Sequence, residues 1–246
     1  MDFLAEITVD QKLTILIAFS AALLGGLISF GASWFTTRQS INAAETTRKN
    51  EKREREAFYA HQGLIKIQQY ANAVFSAKKL INDQFDAAYA EDHGDWRPVQ
   101  KVQEMLSADA KFERFLAEEM VFLLRTKDAQ LLGDMIIFEK RVISSLHSLE
   151  AYSGKRKKWT EKLEANVVAV LHGKGTTLSA DLEGKEAMIA DAEAAALDGI
   201  IGHTMETLCR DVIDGKSLLE RYNVAAKQEY GNLFPTLKFE APNANP

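Results

Sequence analysis

Two His-x-x-Glu pairs, His147 with Glu150 and His203 with Glu206, have the spacing best suited to chemistry. One helical turn apart, each pair offers an imidazole and a carboxylate to a single transition metal, and two such helices side by side complete a site. Di-iron bundles, however, use Glu-x-x-His together with further inward carboxylates. Here the order is reversed and both pairs flank apolar stripes, so the spacing predicts solvated polar faces and no metal. Gly173-Lys174-Gly175-Thr176 has the flavour of a phosphate-binding loop. That motif needs glycine five residues before Gly173 and Ser or Thr directly after the lysine. Val168 and Gly175 stand in those places, and a helix-terminating turn is expected instead.

Lys155-Arg156-Lys157-Lys158, beside Trp159, is the densest basic run. It has the charge to meet an anionic lipid surface, a polyanion or an acidic partner; a solvated helix face is the plainer expectation. The acidic stretch holding Asp83, Asp86, Glu91, Asp92 and Asp95 lacks the residue order of a calcium loop and reads as a connection. The single cysteine, Cys209, excludes an internal disulfide, fits a reducing compartment and reads as a small packing residue. There is no Ser/His/Asp or Cys/His constellation and no glycine-rich cofactor fingerprint. Neither catalysis nor a cofactor is expected.

The element that positions everything else is Leu13–Phe35, an uncharged run of Leu, Ile, Phe, Ala and Gly. As a helix it is about 34 Å long, enough to cross a hydrocarbon core of about 30 Å. A cleaved signal fits poorly. Asp2, Glu6 and Asp10 outnumber Lys12 before the run, the apolar stretch is long, and Gly31-Ala32-Ser33 is a poor cleavage site. Beyond the run stand Arg38, Arg48, Lys49, Lys52, Arg53 and Arg55, and this Lys/Arg asymmetry places the N-terminus outside and the bulk of the chain in the cytoplasm. Trp34 and Phe35 then fall at the inner interface. Ala21, Gly25, Ser29 and Ser33 recur at every fourth position, with Ala18, Ala22 and Gly26 in a neighbouring row. Small residues at that spacing let two helix backbones approach in lipid, although they are also common in membrane helices generally.

The remainder is expected to be all-α. The four prolines, Pro98, Pro235, Pro242 and Pro246, leave residues 99–234 free of the strongest helix breaker. Residues 36–57 read as a charged helical stalk, with Glu45, Glu51, Glu54 and Glu56 interleaved among the basic residues; a weak contact with anionic headgroups is the alternative to a solvated stalk. Apolar residues then recur at helical steps through Ala60, Leu64, Ile67, Ala71, Val74 and Ile81, until Asn82-Asp83 begins a break. A shorter helical region over 99–125 is expected to break near Ser107-Ala108-Asp109 and to carry Phe112, Phe115, Leu116, Met120, Leu123 and Leu124 on one face.

Two long helices follow, Asp128 to His172 and Leu178 to Tyr230. The first has its stripe at Leu131, Met135, Phe138, Val142, Leu146, Leu149, Tyr152, Trp159, Leu163, Val167 and Val170. The second has Ala190, Ala194, Leu197, Ile201, Met205, Leu208, Val212, Gly215, Leu219, Tyr222 and Ala226, in the alternating steps of a coiled-coil seam. They are expected to pack antiparallel through a Gly173–Gly175 turn in an elongated bundle spanning 58–231. Gly231 is expected to cap the second helix. In the tail, 232–246, Leu233, Phe234, Leu237 and Phe239 are expected to dock on the bundle and the last six residues to be disordered.

Thirty basic against thirty-five acidic residues give a net charge of −5, which offers no support for nucleic-acid binding. The function expected is that of a single-pass inner-membrane protein whose cytoplasmic bundle binds or scaffolds other proteins, as a homo-oligomer. Its partners are the lipid bilayer and a cytoplasmic or membrane protein the sequence does not identify. A subunit that transmits a signal from a partner membrane protein is the second reading, and a metal-binding bundle enzyme the third.

Overall fold

The computed structural model describes residues 9–105, 112–126, 128, 130–165, 167–172, 175–180 and 182–235. The predicted break at Ser107-Ala108-Asp109, the Gly173-Lys174 turn, the tail residues Leu237 and Phe239 and the first eight residues lie outside these. The fold is helical, apart from one two-stranded ribbon. The chain divides into two units at the Arg55–Glu56 junction, and one helix, α1 (Val9–Ala90), supplies backbone to both.

In the first unit every described residue belongs to α1. It carries the expected apolar run without interruption, and it is the one described helix long and apolar enough to cross a membrane. Leu13, Ile17, Phe19, Leu23, Leu24, Phe30, Trp34 and Phe35 all stand exposed. Thr14 and Thr36 return their hydroxyls to the carbonyls four residues back, Asp10 and Ala32, and Ser20 donates to Ile17. These three hydroxyls are thereby satisfied by their own helix.

The second unit is a bundle around one core. The α1 stripe is buried as the sequence predicts, with Ala60, Leu64, Ile67, Val74 and Ile81 inaccessible. The break predicted at Asn82-Asp83 is absent: α1 runs on to Ala90, because Phe85 packs on the core and Ala88 is buried one turn later. Burial of those two side chains outweighs the weak turn preference of a solvent-facing Asn-Asp pair.

The shorter helical region is also corrected. Among the described residues of 98–126 the helical elements are short: α2 (Pro98–Lys101), α3 (Ala117–Met120) and a 3-10 turn over Val121–Arg125. Irregular backbone of this kind must find partners for its amides elsewhere. It does so on side chains of the long helices: Val99 N–H donates to Asp198, Gln103 N–H to Gln84 and Met105 N–H to Ser153. Of the predicted apolar face, Phe115 and Leu123 are buried, whereas Leu116 and Leu124 stay exposed and Phe122 fills the core instead.

The two long helices are α4 (Leu131–Glu164) and α5 (Gly184–Tyr230). Contacts between Asp134 and Arg221, Phe138 and Gly215, Arg141 and Asp214, and Trp159 and Ala190 run in opposite directions along the two helices. They are therefore antiparallel, as predicted. Helix α4 stops at Glu164, short of the predicted His172. Val-Val-Ala-Val-Leu-His forms β1 (Val167–His172), paired antiparallel with β2 (Gly175–Ala180) from Val167 opposite Ala180 to His172 opposite Gly175. Val167, Val168, Val170, Thr176 and Thr177 are β-branched, which lowers helix propensity and favours an extended pair. Gly231 ends α5 at φ 60°, a left-handed conformation glycine adopts without steric penalty, and donates its N–H to Lys227. Phe234, just beyond, is buried with its ring edge-on to His61, so this tail residue docks as expected, whereas Leu233 stays exposed.

One close approach in this core is specific to glycine. A Cβ at Gly63 would overlap the Tyr222 hydroxyl and sit 3.1 Å from Cζ of the same ring. Tyr222 is inaccessible; its hydroxyl donates to the Glu119 carbonyl at 2.7 Å and lies 2.9 Å from that of Ala60. Gly63→Ala is expected to destabilise the bundle by about 1–3 kcal/mol through overpacking. Tyr222→Phe removes the obstructing oxygen, so the double variant should lose less than the two single losses added together. Urea denaturation of the four proteins checks this, and simple additivity would refute the packing assignment.

Candidate functional site

The structure places the described residues of the sequence-predicted sites on separate helix faces. His147, Glu150, His203 and Glu206 are all exposed. Among the described residues no group of three or more His, Cys, Asp or Glu is placed to hold a metal ion. Ala21, Gly25, Ser29 and Ser33 lie in one exposed row on α1, with open space where a Gly25 side chain would be. Cys209 is a free thiol of intermediate exposure.

The basic run on α4 is divided by its helix. Lys155, Lys157 and Lys158 face solvent, whereas Arg156 turns inward and donates from Nε to the Val99 carbonyl at 3.0 Å. Trp159 donates from Nε1 to the Ala190 carbonyl of α5 at 3.2 Å. One residue of the run, and Trp159 beside it, thus tie α4 to its neighbours, leaving three lysines as a solvated cationic edge.

The polar groups that organise the bundle are elsewhere, and sequence reasoning missed them. Lys66, on α1, is buried with its Nζ 2.7 Å from Glu119 Oε1, 3.7 Å from Glu113 and donating to the Arg114 carbonyl at 3.0 Å. Glu119 Oε2 accepts the Leu116 N–H at 2.9 Å, closing the first turn of α3. One turn along α1, the Tyr70 hydroxyl lies 3.2 Å from the Glu113 carbonyl and 3.4 Å from Glu139 Oε1. Burial first, then the neighbouring Glu139 charge, pushes the Tyr70 phenol well above its ordinary range, so it is a hydrogen-bond donor at any physiological pH. Together these groups clamp the irregular 112–120 segment onto α1 and α4.

Along the α4–α5 seam the charges alternate in sign. Arg221 makes a two-pronged contact with Asp128, both bonds 2.8 Å, and a third bond to Asp134 at 2.7 Å. The Arg221 hydrogen bond holds the Asp128 carboxyl below the usual carboxylate range. Arg141 bonds Asp214 and stands 2.7 Å from Asp211. Asp211 is fully buried, and burial pushes its carboxyl up despite the guanidinium. Its position, between Leu208 and Gly215 at helical steps, is the one signal that marked it in the sequence as a charged residue inside an apolar stripe. Nothing comparable marked Lys66 or Glu119, whose pairing joins residues far apart in the chain.

Three of the shallow surface grooves bear on a candidate site. One follows the charged turns of α1 from Glu45 to Arg55. Another, of about 580 Å³, lies between the start of α4 and the end of α5, where Arg221 is already saturated by carboxylates. The third, of about 550 Å³, is bounded by Arg114 and the outer face of α4. No known protein family matches this chain, and no curated protein or solved structure does either.

Proposed function

We propose that the chain is a single-pass membrane protein whose helical bundle serves on the cytoplasmic side as a protein-interaction or scaffolding module, without catalytic activity of its own. The observation that carries this reading is the exposed apolar surface of α1 within Leu13–Phe35, formed by Leu13, Ile17, Phe19, Leu23, Leu24, Phe30, Trp34 and Phe35. Exposed to water, aliphatic and aromatic area of this kind costs roughly 25 cal/mol for every Å², and lipid removes that cost. Trp34 adds support at the boundary of the run. Its ring lies 5.2 Å beneath the Arg38 guanidinium one turn later, which suits the headgroup region, where an aromatic ring and a cation both find partners. The basic residues that follow favour the N-out orientation, and the Ala21–Ser33 row favours self-association in the membrane.

Alkaline extraction of native membranes tests the anchor: the protein should stay in the pellet, and release into the wash would refute a spanning helix. Crosslinking in detergent across a range of protein concentrations tests the homo-oligomer, and a monomer throughout would remove that part. Affinity purification from native membranes identifies the protein partner. A second reading, a subunit that passes a signal from a partner membrane protein, is favoured by the continuity of α1 from the apolar run into the bundle core.

A further inference from the structure

Most arginines of the bundle are committed to their own fold. Arg97, Arg125, Arg141 and Arg221 each meet two carboxylates, and Arg156 meets a backbone carbonyl. The Arg114 side chain meets neither among the described residues. It instead lines the groove of about 550 Å³ on the outer face of α4, together with Lys140, Ser144, His147 and Ser148. Lys140 is exposed and likewise has no ion pair with a described residue. The one carboxylate lining the groove, Glu139, is buried and already accepts the Tyr70 hydroxyl at 3.4 Å.

We infer that this groove is a binding site for a phosphate-bearing group. A guanidinium presents two parallel N–H donors that match two phosphate oxygens, and an ammonium adds a point charge. A phosphate dianion satisfies both cations, where a carboxylate satisfies one. The Ser144 hydroxyl and the His147 ring, both exposed on the same helix face, supply further donors for the third oxygen. Ser148 turns its hydroxyl proton to the Ser144 carbonyl, leaving its oxygen as an acceptor toward a protonated phosphate. The volume suits a small phosphorylated molecule or a lipid headgroup, within the range of about 300–1,000 Å³ usual for ligand sites. This site is independent of the membrane reading, since every residue of it lies in the second unit.

The test is ³¹P NMR on the full chain in neutral detergent, with inorganic phosphate and a short-chain phosphatidic acid as separate probes at matched ionic strength. The wild-type protein should broaden and shift the probe resonance. Arg114→Ala/Lys140→Ala, at two exposed positions, should keep its denaturation midpoint and weaken binding by about tenfold or more, equivalent to about 1.4 kcal/mol. Lys155→Ala/Lys157→Ala, outside the groove, should bind as the wild type does. Binding of both probes assigns the site to a phosphate group as such, and binding of phosphatidic acid alone assigns it to a lipid headgroup. The inference is overturned if neither probe binds, if the Arg114/Lys140 variant binds unchanged, or if the Lys155/Lys157 variant loses as much.

Discussion

Lys66→Met is expected to destabilise the bundle by about 3–5 kcal/mol, the usual cost of stripping one partner from a buried ion pair. The Lys66 and Glu119 side chains retain 9% and 2% of their exposure, and their charged atoms are 2.7 Å apart. Methionine approximates the lysine stem in volume, so the loss is electrostatic rather than a cavity. It leaves the Glu119 carboxylate buried with the Leu116 N–H as its remaining donor, and it removes the bond to the Arg114 carbonyl. Lys66→Met/Glu119→Gln, which has no buried charge to orphan, should recover a large part of the loss, because desolvation offsets most of what an intact pair gains. Hydrogen exchange should locate the damage: amides of α3 and the following turn should lose protection before those of α4 and α5. Chemical denaturation of the three proteins decides the matter, and a single-variant loss below about 1 kcal/mol would place Lys66 among ordinary surface pairs.

Placing Asp at both Leu23 and Leu24 is expected to abolish membrane retention. Each acidic residue near the middle of a spanning helix costs roughly 3 kcal/mol on insertion scales, so the pair costs about 6 kcal/mol and reverses a marginal insertion equilibrium. Both leucines are exposed on α1 and touch no core residue. The bundle should therefore keep its denaturation midpoint while the protein leaves the membrane pellet. Quantitative fractionation reads the first effect and denaturation the second. Full retention of the double variant in the pellet would mean that something other than lipid insertion holds the chain there.

How much of this was legible depended on whether a feature was local in sequence. Leu64, Ile67, Val74 and Ile81 on α1, and Leu131, Met135, Phe138, Val142 and Tyr152 on α4, announce their buried face through helical steps alone, and all are buried. Gly231 at the end of the α5 stripe is legible for the same reason, since a helix followed by glycine is a local signal. Boundaries fared worse where tertiary packing opposed propensity. Asn82-Asp83 looks like a stop until Phe85 is seen against the core and Ala88 buried one turn later. The valines after Asn166 continue the helical stripe on paper, yet their β-branching turns the chain into a strand.

The 99–125 region reads as helical because its aromatic residues are numerous enough to suggest a face, while the amides of Val99, Gln103 and Met105 find Asp198, Gln84 and Ser153 on distant helices. Candidate sites follow the same logic. The Lys155–Lys158 run is conspicuous but divides between solvent and a backbone carbonyl. Arg114 and Lys140, with nothing conspicuous about them in sequence, come together only when the 112–116 strap is laid along α4.

The proposal as a whole turns on a helix in lipid with the bundle on the cytoplasmic side, and protease digestion of intact spheroplasts carrying a C-terminally tagged chain addresses it most directly. The expected result is a tagged bundle that survives until detergent opens the membrane and is then cleaved. A bundle degraded in sealed spheroplasts, or a tagged chain recovered from the soluble fraction, contradicts it.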